Sequence, residues 1–366
     1  MTELEAYVSL NSAGVGYRKL KALLEHFGKP ENILGASCAR LGQIEGIGPK
    51  LAQQICALKD EDLKKECDLI KKYGLLVLTP ADAGYPENLK NIYDPPIVIY
   101  VKGKLQDDDK RSIAIVGSRR ASFYGLSCAE RFAHDLCACG LTVVSGMARG
   151  IDTAAHKGAL GAQGRTIAVL GSGFAQIYPP ENKKLLEQIV ERGAVISEFP
   201  VETGPLRQNF PRRNRLISGL SLGVLVVEAA RNSGALITSD FALEQGREVF
   251  ALPGRVDSDT AFGANHLIQQ GAKLVCSVQD ILEELEIPLI SSLVLKEGPD
   301  DSQAEEKKNL SNDETIVYNL LSCKPLSLDE IITRSGLGLQ RLMELLLGLE
   351  LKRIIKRLPG RQFIRS

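Results

Sequence analysis

A chain of 366 residues exceeds one ordinary core, which predicts two or three domains. Its 44% hydrophobic and 25% charged residues are those of a globular protein. No run of about 18 apolar residues occurs, which excludes a transmembrane helix, and MTELEAYVSL lacks the basic-then-apolar pattern of a secretory signal. A formal net charge of zero excludes a uniformly basic nucleic-acid binder but leaves local patches open, and eight cysteines without disulfide or zinc spacing are expected as reduced thiols in the cytoplasm.

Residues 1–72 read as short helices around two similar turns, Ala13-Gly14-Val15-Gly16 and Glu45-Gly46-Ile47-Gly48. Each leads into an amphipathic segment, the second through Pro49, a residue favoured at a helix start. Both turns are similar to the helix–hairpin–helix pattern, whose turn N–H groups can hold a DNA phosphate. The second matches well and the first is degenerate, so DNA contact by residues 12–28 is less expected than a packing role. Leu75–Leu78 and Ile97–Val101 are short strand-like runs separated by prolines.

From Ile113 to Leu285, strand-like and helical segments alternate, within a core expected over residues 73–287. The strand-like runs are Ile113–Val116, Leu141–Ser145, Thr166–Leu170, Ala194–Ser197, Val224–Val227, Val249–Leu252 and Leu274–Cys276. That alternation predicts an α/β fold with a Rossmann-like, doubly wound parallel sheet, whose ligands sit beyond the carboxyl ends of the strands. Those ends carry Gly117-Ser118-Arg119, Ser145-Gly146 with Arg149-Gly150, Gly171-Ser172-Gly173, Ser197-Glu198, Glu228 with Arg231, and Pro253-Gly254-Arg255. Backbone donors, hydroxyls and guanidiniums on one rim form a phosphate-binding surface. The start of the helix after Ser122 would add unpaired N–H groups that attract anions. Arg212, Arg213 and Arg215 cluster at another helix start beside Phe210. Cations there oppose the helix dipole, which points to an outside anion.

Residues 288–310 lose periodicity and read as a flexible linker. Residues 311–366 predict three helices and two short strands, a winged helix with a basic tail containing Lys352, Arg353, Lys356, Arg357, Arg361 and Arg365. DNA contact and protein docking are equally open for it.

The chain contains no GxxxxGK[ST] or Gly-x-Ser-x-Gly element. Gly171-Ser172-Gly173 begins a dinucleotide fingerprint but meets Gln176 where glycine belongs. The four histidines lack metal-ligand spacing, so no metal and no cofactor is expected. Asp152 and His156 share one helical face, and a structural role is favoured over an acid–base couple.

The series VGSRRASFYG, SGMARGID, YPPEN, FPRRNRLISGLS, SGALITSDFALEQGR and GANHLIQQGAKLV resembles the DNA-processing protein A family, DprA/Smf. The resemblance implies a cytoplasmic, homodimeric protein without catalytic activity. Such a protein binds single-stranded DNA, protects incoming DNA during competence and natural transformation, and loads RecA onto strands coated with single-strand binding protein. It places Ser118 and Arg119, with Gly117, on the DNA backbone. Lys183, Arg212, Asn214 and Arg215 extend the basic pocket, and Gly146, Arg149 and Gly150 line the neighbouring exit. Phe174 and Phe210 are the candidate stacking residues, and the segment around Ala264–Gly271 lies near the dimer contact. The alternative is a nucleotide-processing enzyme of the lysine-decarboxylase-like Rossmann superfamily, whose PGGxGTxxE signature does not occur here.

Overall fold

The β-branched runs of the central sequence pair into one nine-stranded sheet in a computed structural model that describes residues 1–287, 311–321, 326–352, 354–358, 360 and 362–365. The strands are β1 (Leu76–Leu78), β2 (Ile99–Gly103), β3 (Ser112–Val116), β4 (Thr142–Ser145), β5 (Thr166–Val169), β6 (Ala194–Ser197), β7 (Gly223–Val226), β8 (Glu248–Ala251) and β9 (Lys273–Leu274). Their order is β1-β2-β6-β5-β4-β3-β7-β8-β9. Strands β3 to β9 run parallel, as their spacing predicts, while β2 joins β6 and β1 joins β2 antiparallel. On one side of β3 the chain winds out through β4, β5 and β6. It then returns to β7 on the other side, with Ala114 opposite both Val144 and Val224. This reversal is the topological switch point, where open α/β sheets bind ligands.

Every residue of β3, SIAIV, is buried. Ala114 and Val116 share an apolar cluster with Leu216 and Ile217 of the helix Asn209–Leu220. The helices Phe123–Ala138 and Ile151–Gly161 pack so closely that a Cβ on Gly158 would stand 2.0 Å from the Glu130 carbonyl oxygen.

The chain divides into two compact units, Met1–Ile290 and Ser291–Ser366. The six helices from Glu3 to Tyr73 therefore belong to the same unit as the sheet. Leu10, Leu23, Leu51 and Ile55 pack in one cluster with Tyr100 of β2 and Val195 of β6. Two buried hydrogen bonds reinforce it, Asn11 Nδ2 donating to the Glu198 carbonyl (3.0 Å) and the Val201 N–H donating to Glu66 Oε1 (2.9 Å). In the second hairpin turn Gly46 has φ +82° and nothing stands within 4 Å of a Cβ on Gly48. In the first, the Asp94 carboxylate lies 3.9 Å from where a Gly16 Cβ would be. An acid there opposes a phosphate.

Cys38 and Cys56 lie against each other, with their Cα atoms 6.1 Å apart. The helices Cys38–Leu41 and Pro49–Cys56 fold back across the second hairpin and bring distant positions together, which linear spacing does not announce.

In the second unit the helices Asn312–Leu320, Leu328–Ser335 and Leu339–Leu351 surround Val317, Ile331, Leu342, Leu346 and Phe363. The strands Leu326–Ser327, Gln362–Arg365 and Ile355–Leu358 form an antiparallel wing. Ser327 and Glu330 close a capping box: the Glu330 N–H donates to Ser327 Oγ (3.3 Å) and the Ser327 N–H to Glu330 Oε2 (2.8 Å). Two members of the basic tail are engaged internally. Lys352 bonds Glu314 (2.7 Å), and Arg365 lies over the Tyr318 ring (4.1 Å). Arg353, Arg361 and the segment 288–310 lie outside the described residues. Among the described residues, no helix is long and apolar enough to cross a membrane.

Candidate nucleic-acid interface

At the carboxyl end of β3, Gly117 turns the chain under the helix Ile151–Gly161. A Cβ there would stand 2.6 Å from Ile151 Cγ1 and 2.8 Å from the Glu228 carbonyl oxygen. The Ser118 N–H donates to the Glu228 carbonyl (2.7 Å), and the Ser118 carbonyl accepts from the Ile151 N–H (3.2 Å). Gly150, at φ +74°, is required by the same contact, because its Cβ would meet the Ser118 carbonyl at 2.2 Å. These glycines admit neighbouring protein atoms.

The helix start after Ser122 is also taken. The Ser122 N–H donates to Glu228 Oε2 (2.8 Å), its hydroxyl donates to Glu228 Oε1 (2.5 Å), and its Oγ accepts from the Gly125 N–H (3.0 Å). A carboxylate from the β7 exit thus supplies the negative charge that this N-terminus favours, and the expectation of an outside anion there is corrected.

What remains open is a cleft of about 1190 Å³ at the switch point. Its wall carries Ser118, Arg119, Arg120, Arg207, Arg213 and Arg231, with Asp152 and Asp259 as its two acids. Arg119 is exposed and stands 5.0 Å from the centre of the Phe210 ring. Phe210 meets Tyr178 edge to face (5.8 Å, 62°), and Tyr178 is 37% exposed. Gly171 gives Phe210 its place, since a Cβ there would stand 2.8 Å from Phe210 Cδ1.

Beneath this surface Arg213 is buried. It donates from Nη1 to the Gly146 carbonyl (2.5 Å) and to the Val169 carbonyl, and from Nε to Asn214 Oδ1 (3.3 Å). Burial pushes its pKa down to about 10, against the opposing pull of Asp152. Burial likewise raises the Asp152 carboxyl, while Arg213 and the Ala148 N–H (3.2 Å) favour its ionised form. Asn214 lines the cleft and donates to the Gly234 carbonyl (3.0 Å). His156 does not pair with Asp152. The Thr166 hydroxyl donates to the Val143 carbonyl (2.8 Å), so Thr166 Oγ1 accepts from His156 Nδ1–H (2.7 Å). Burial lowers the His156 pKa to about 3, a structural histidine as expected.

Several expected site residues are placed elsewhere. Phe174 is 4% exposed in the apolar cluster around Leu170 and Leu186 and offers no face for a base. Arg215 is buried against Glu198 and the Asp94 carbonyl. Arg212, with 45% of its side chain exposed, bonds the same Glu198 carboxylate (3.0 Å), which is 1% exposed. An internal acid and three carbonyls therefore answer the arginines of the FPRRNR segment, so its charge does not imply an external anion. The space a Gly146 side chain would fill holds the Arg213 guanidinium, 2.5 Å away. Arg149 pairs with Glu181. Lys183 is exposed at the start of the helix Lys183–Arg192, outside the cleft wall. Sequence reasoning passed over Arg207 and Phe262, which no motif marks, and no local pattern reveals the burial of Arg213.

The family model for DNA recombination-mediator protein A matches residues 76–286. The chain belongs to the DNA-processing protein A (DprA/Smf) family. The family's winged-helix model matches residues 301–361, and a SAM-like helix–hairpin–helix tandem matches 10–57. The DprA/Smf relatives include protein Smf of Synechocystis, 40% identical over 83% of this chain and 75% of that one. Protein Smf of Escherichia coli is 42% identical over 77% of this chain and 76% of that one. Among solved structures, DprA of Streptococcus pneumoniae aligns at TM-score 0.67 with 39% identity, over 78% of this chain and 98% of that one. DprA of Helicobacter pylori, described for its single-stranded DNA binding mode, aligns at TM-score 0.52 with 28% identity, over 58% of this chain and 97% of that one. DprA membership makes the chain a DNA-processing recombination mediator and does not favour the nucleotide-processing enzyme.

Proposed function

We propose that the chain binds single-stranded DNA in the switch-point cleft, with Arg119 and Ser118 on the phosphate backbone and Phe210 against a base. The observation that carries this reading is the Arg119–Phe210 pair, a cation and an aromatic face together on the wall of a cleft that can admit a strand. Arg120, Arg207 and Arg231 add exposed cations to that wall. The relative from H. pylori is described as a single-stranded DNA binder, which favours a strand over a mononucleotide.

In this reading the chain is a cytoplasmic, non-catalytic homodimer. It protects incoming strands and loads RecA where single-strand binding protein would exclude it. The organisation into helical residues 1–72, core 73–287, linker 288–310 and winged helix 311–366 belongs to the same proposal. The decisive test is a binding titration of single-stranded against duplex DNA at two salt concentrations, on the native chain and Arg119→Ala, with the mass measured in solution. Salt-independent binding, or equal affinity for both DNA forms, would overturn the reading.

A further inference from the structure

The cleft wall carries a second aromatic–guanidinium pair. Arg231, at the β7 exit, stands 4.2 Å from the centre of the Phe262 ring, and both side chains are exposed on the wall. Phe262 opens the helix Phe262–Gln269 after β8. The Gly263 N–H donates to the Ala229 carbonyl (2.6 Å) and so fixes that helix start to the β7 exit. His266 stacks with the same ring, 5.9 Å away and tilted by 26°.

Ala230, Ile237 and Asp259 line the cleft with this pair. A guanidinium backed by an aromatic ring offers a plane on which a flat, uncharged base can stack. At about 4.8 Å per strand, the β8 exit lies roughly 10 Å from the β3 exit, within reach of one bound strand.

We infer that Arg231 and Phe262 form a second base-stacking station for the single strand, taking a nucleobase on the Arg231 guanidinium plane. The inference rests on the proposed binding of single-stranded DNA in this cleft. The chain contains no tryptophan, so Phe262→Trp and Phe210→Trp each introduce a single fluorophore. Titration with oligothymidylate should quench both, and an abasic oligomer of equal length should leave the Phe262→Trp signal unchanged. Quenching at Phe210→Trp alone overturns the second station and leaves the DNA reading standing. Binding by neither variant nor the native chain overturns that reading itself. Equal quenching by the abasic oligomer also overturns the station.

Affinity supplies an independent measurement. Phe262→Leu and Arg231→Ala should each weaken oligothymidylate binding roughly 5- to 100-fold. Arg231→Lys keeps the charge and loses the plane, and should lose most of what Arg231→Ala loses. Full retention of affinity in Arg231→Lys would assign the residue to phosphate and overturn the station.

Discussion

The Arg119 guanidinium lies 5.0 Å from the Phe210 ring centre and enters no salt bridge among the described residues. Arg149, Arg212 and Arg215 are each held by a glutamate. An arginine supported by an aromatic ring keeps its charge available to a phosphate. Replacing Arg119 by Ala should weaken single-strand binding about 10- to 100-fold, equally across sequences. The native chain, neutralising about four phosphates, should show a slope of log affinity against log salt of roughly −3, and the variant a slope shallower by about 0.7. Titration across a salt series checks both, and native affinity in the variant would place the strand elsewhere.

Arg213 and Gly146 form a different kind of pair. Arg213→Ala removes the cation facing buried Asp152 and leaves two carbonyls without their donor, and should cost about 3–5 kcal/mol of stability. Gly146→Ala, whose Cβ would press on the guanidinium at 2.5 Å, should cost about 2–4 kcal/mol through the same residue. Denaturant unfolding of both variants and the double variant checks this, and the two losses should be strongly non-additive.

Arg212 and Arg215 share Glu198 and should respond unequally. Arg215→Ala leaves a buried carboxylate with one remaining, half-exposed partner, and should lower stability by about 3 kcal/mol or more. Arg212→Ala should cost less than about 1 kcal/mol. Thermal unfolding separates them. A loss of DNA binding in Arg215→Ala without a fall in Tm would return that residue to the interface.

His156 predicts a pH dependence. Its folded pKa is lowered to about 3 from 6.5, so between those values the unfolded chain binds more protons and stability falls as pH falls. The contribution is on the order of 5 kcal/mol when complete near pH 3, with Asp152, whose pKa is raised, working in the opposite sense toward the acid end. His156→Gln should reduce the loss of stability between pH 7 and pH 4.5, as measured by denaturant unfolding at the two values.

The sheet was legible because each strand is a short apolar run bounded by glycine or serine. The alternation of strand and helix then fixes direction. Arg119 and Phe210, which stand together on the cleft wall, were singled out through their motifs. The partners of the charged residues were not. Glu198 lies at the β6 exit, and only the folded chain brings it to Arg212 and Arg215. Glu228 reaches the Ser122 helix start from β7 in the same way. Ion pairing across large sequence separation leaves no periodic trace, so the FPRRNR cluster read as unsatisfied charge when most of it is satisfied inside. Phe174 failed for a related reason, since an aromatic after a Gly-Ser-Gly turn looks the same whether it faces solvent or core.

The cleft arginines sit on a chain whose formal net charge is zero. Their field is therefore local, and at physiological ionic strength it decays over about 8 Å, comparable to the spacing of two strands. Such a surface does little to draw a polyanion in from a distance. Capture depends on collision or delivery, and the association rate should change far less with salt than the lifetime of the complex. In the proposed complex a seated strand is held by short-range contacts, which screening by salt weakens least.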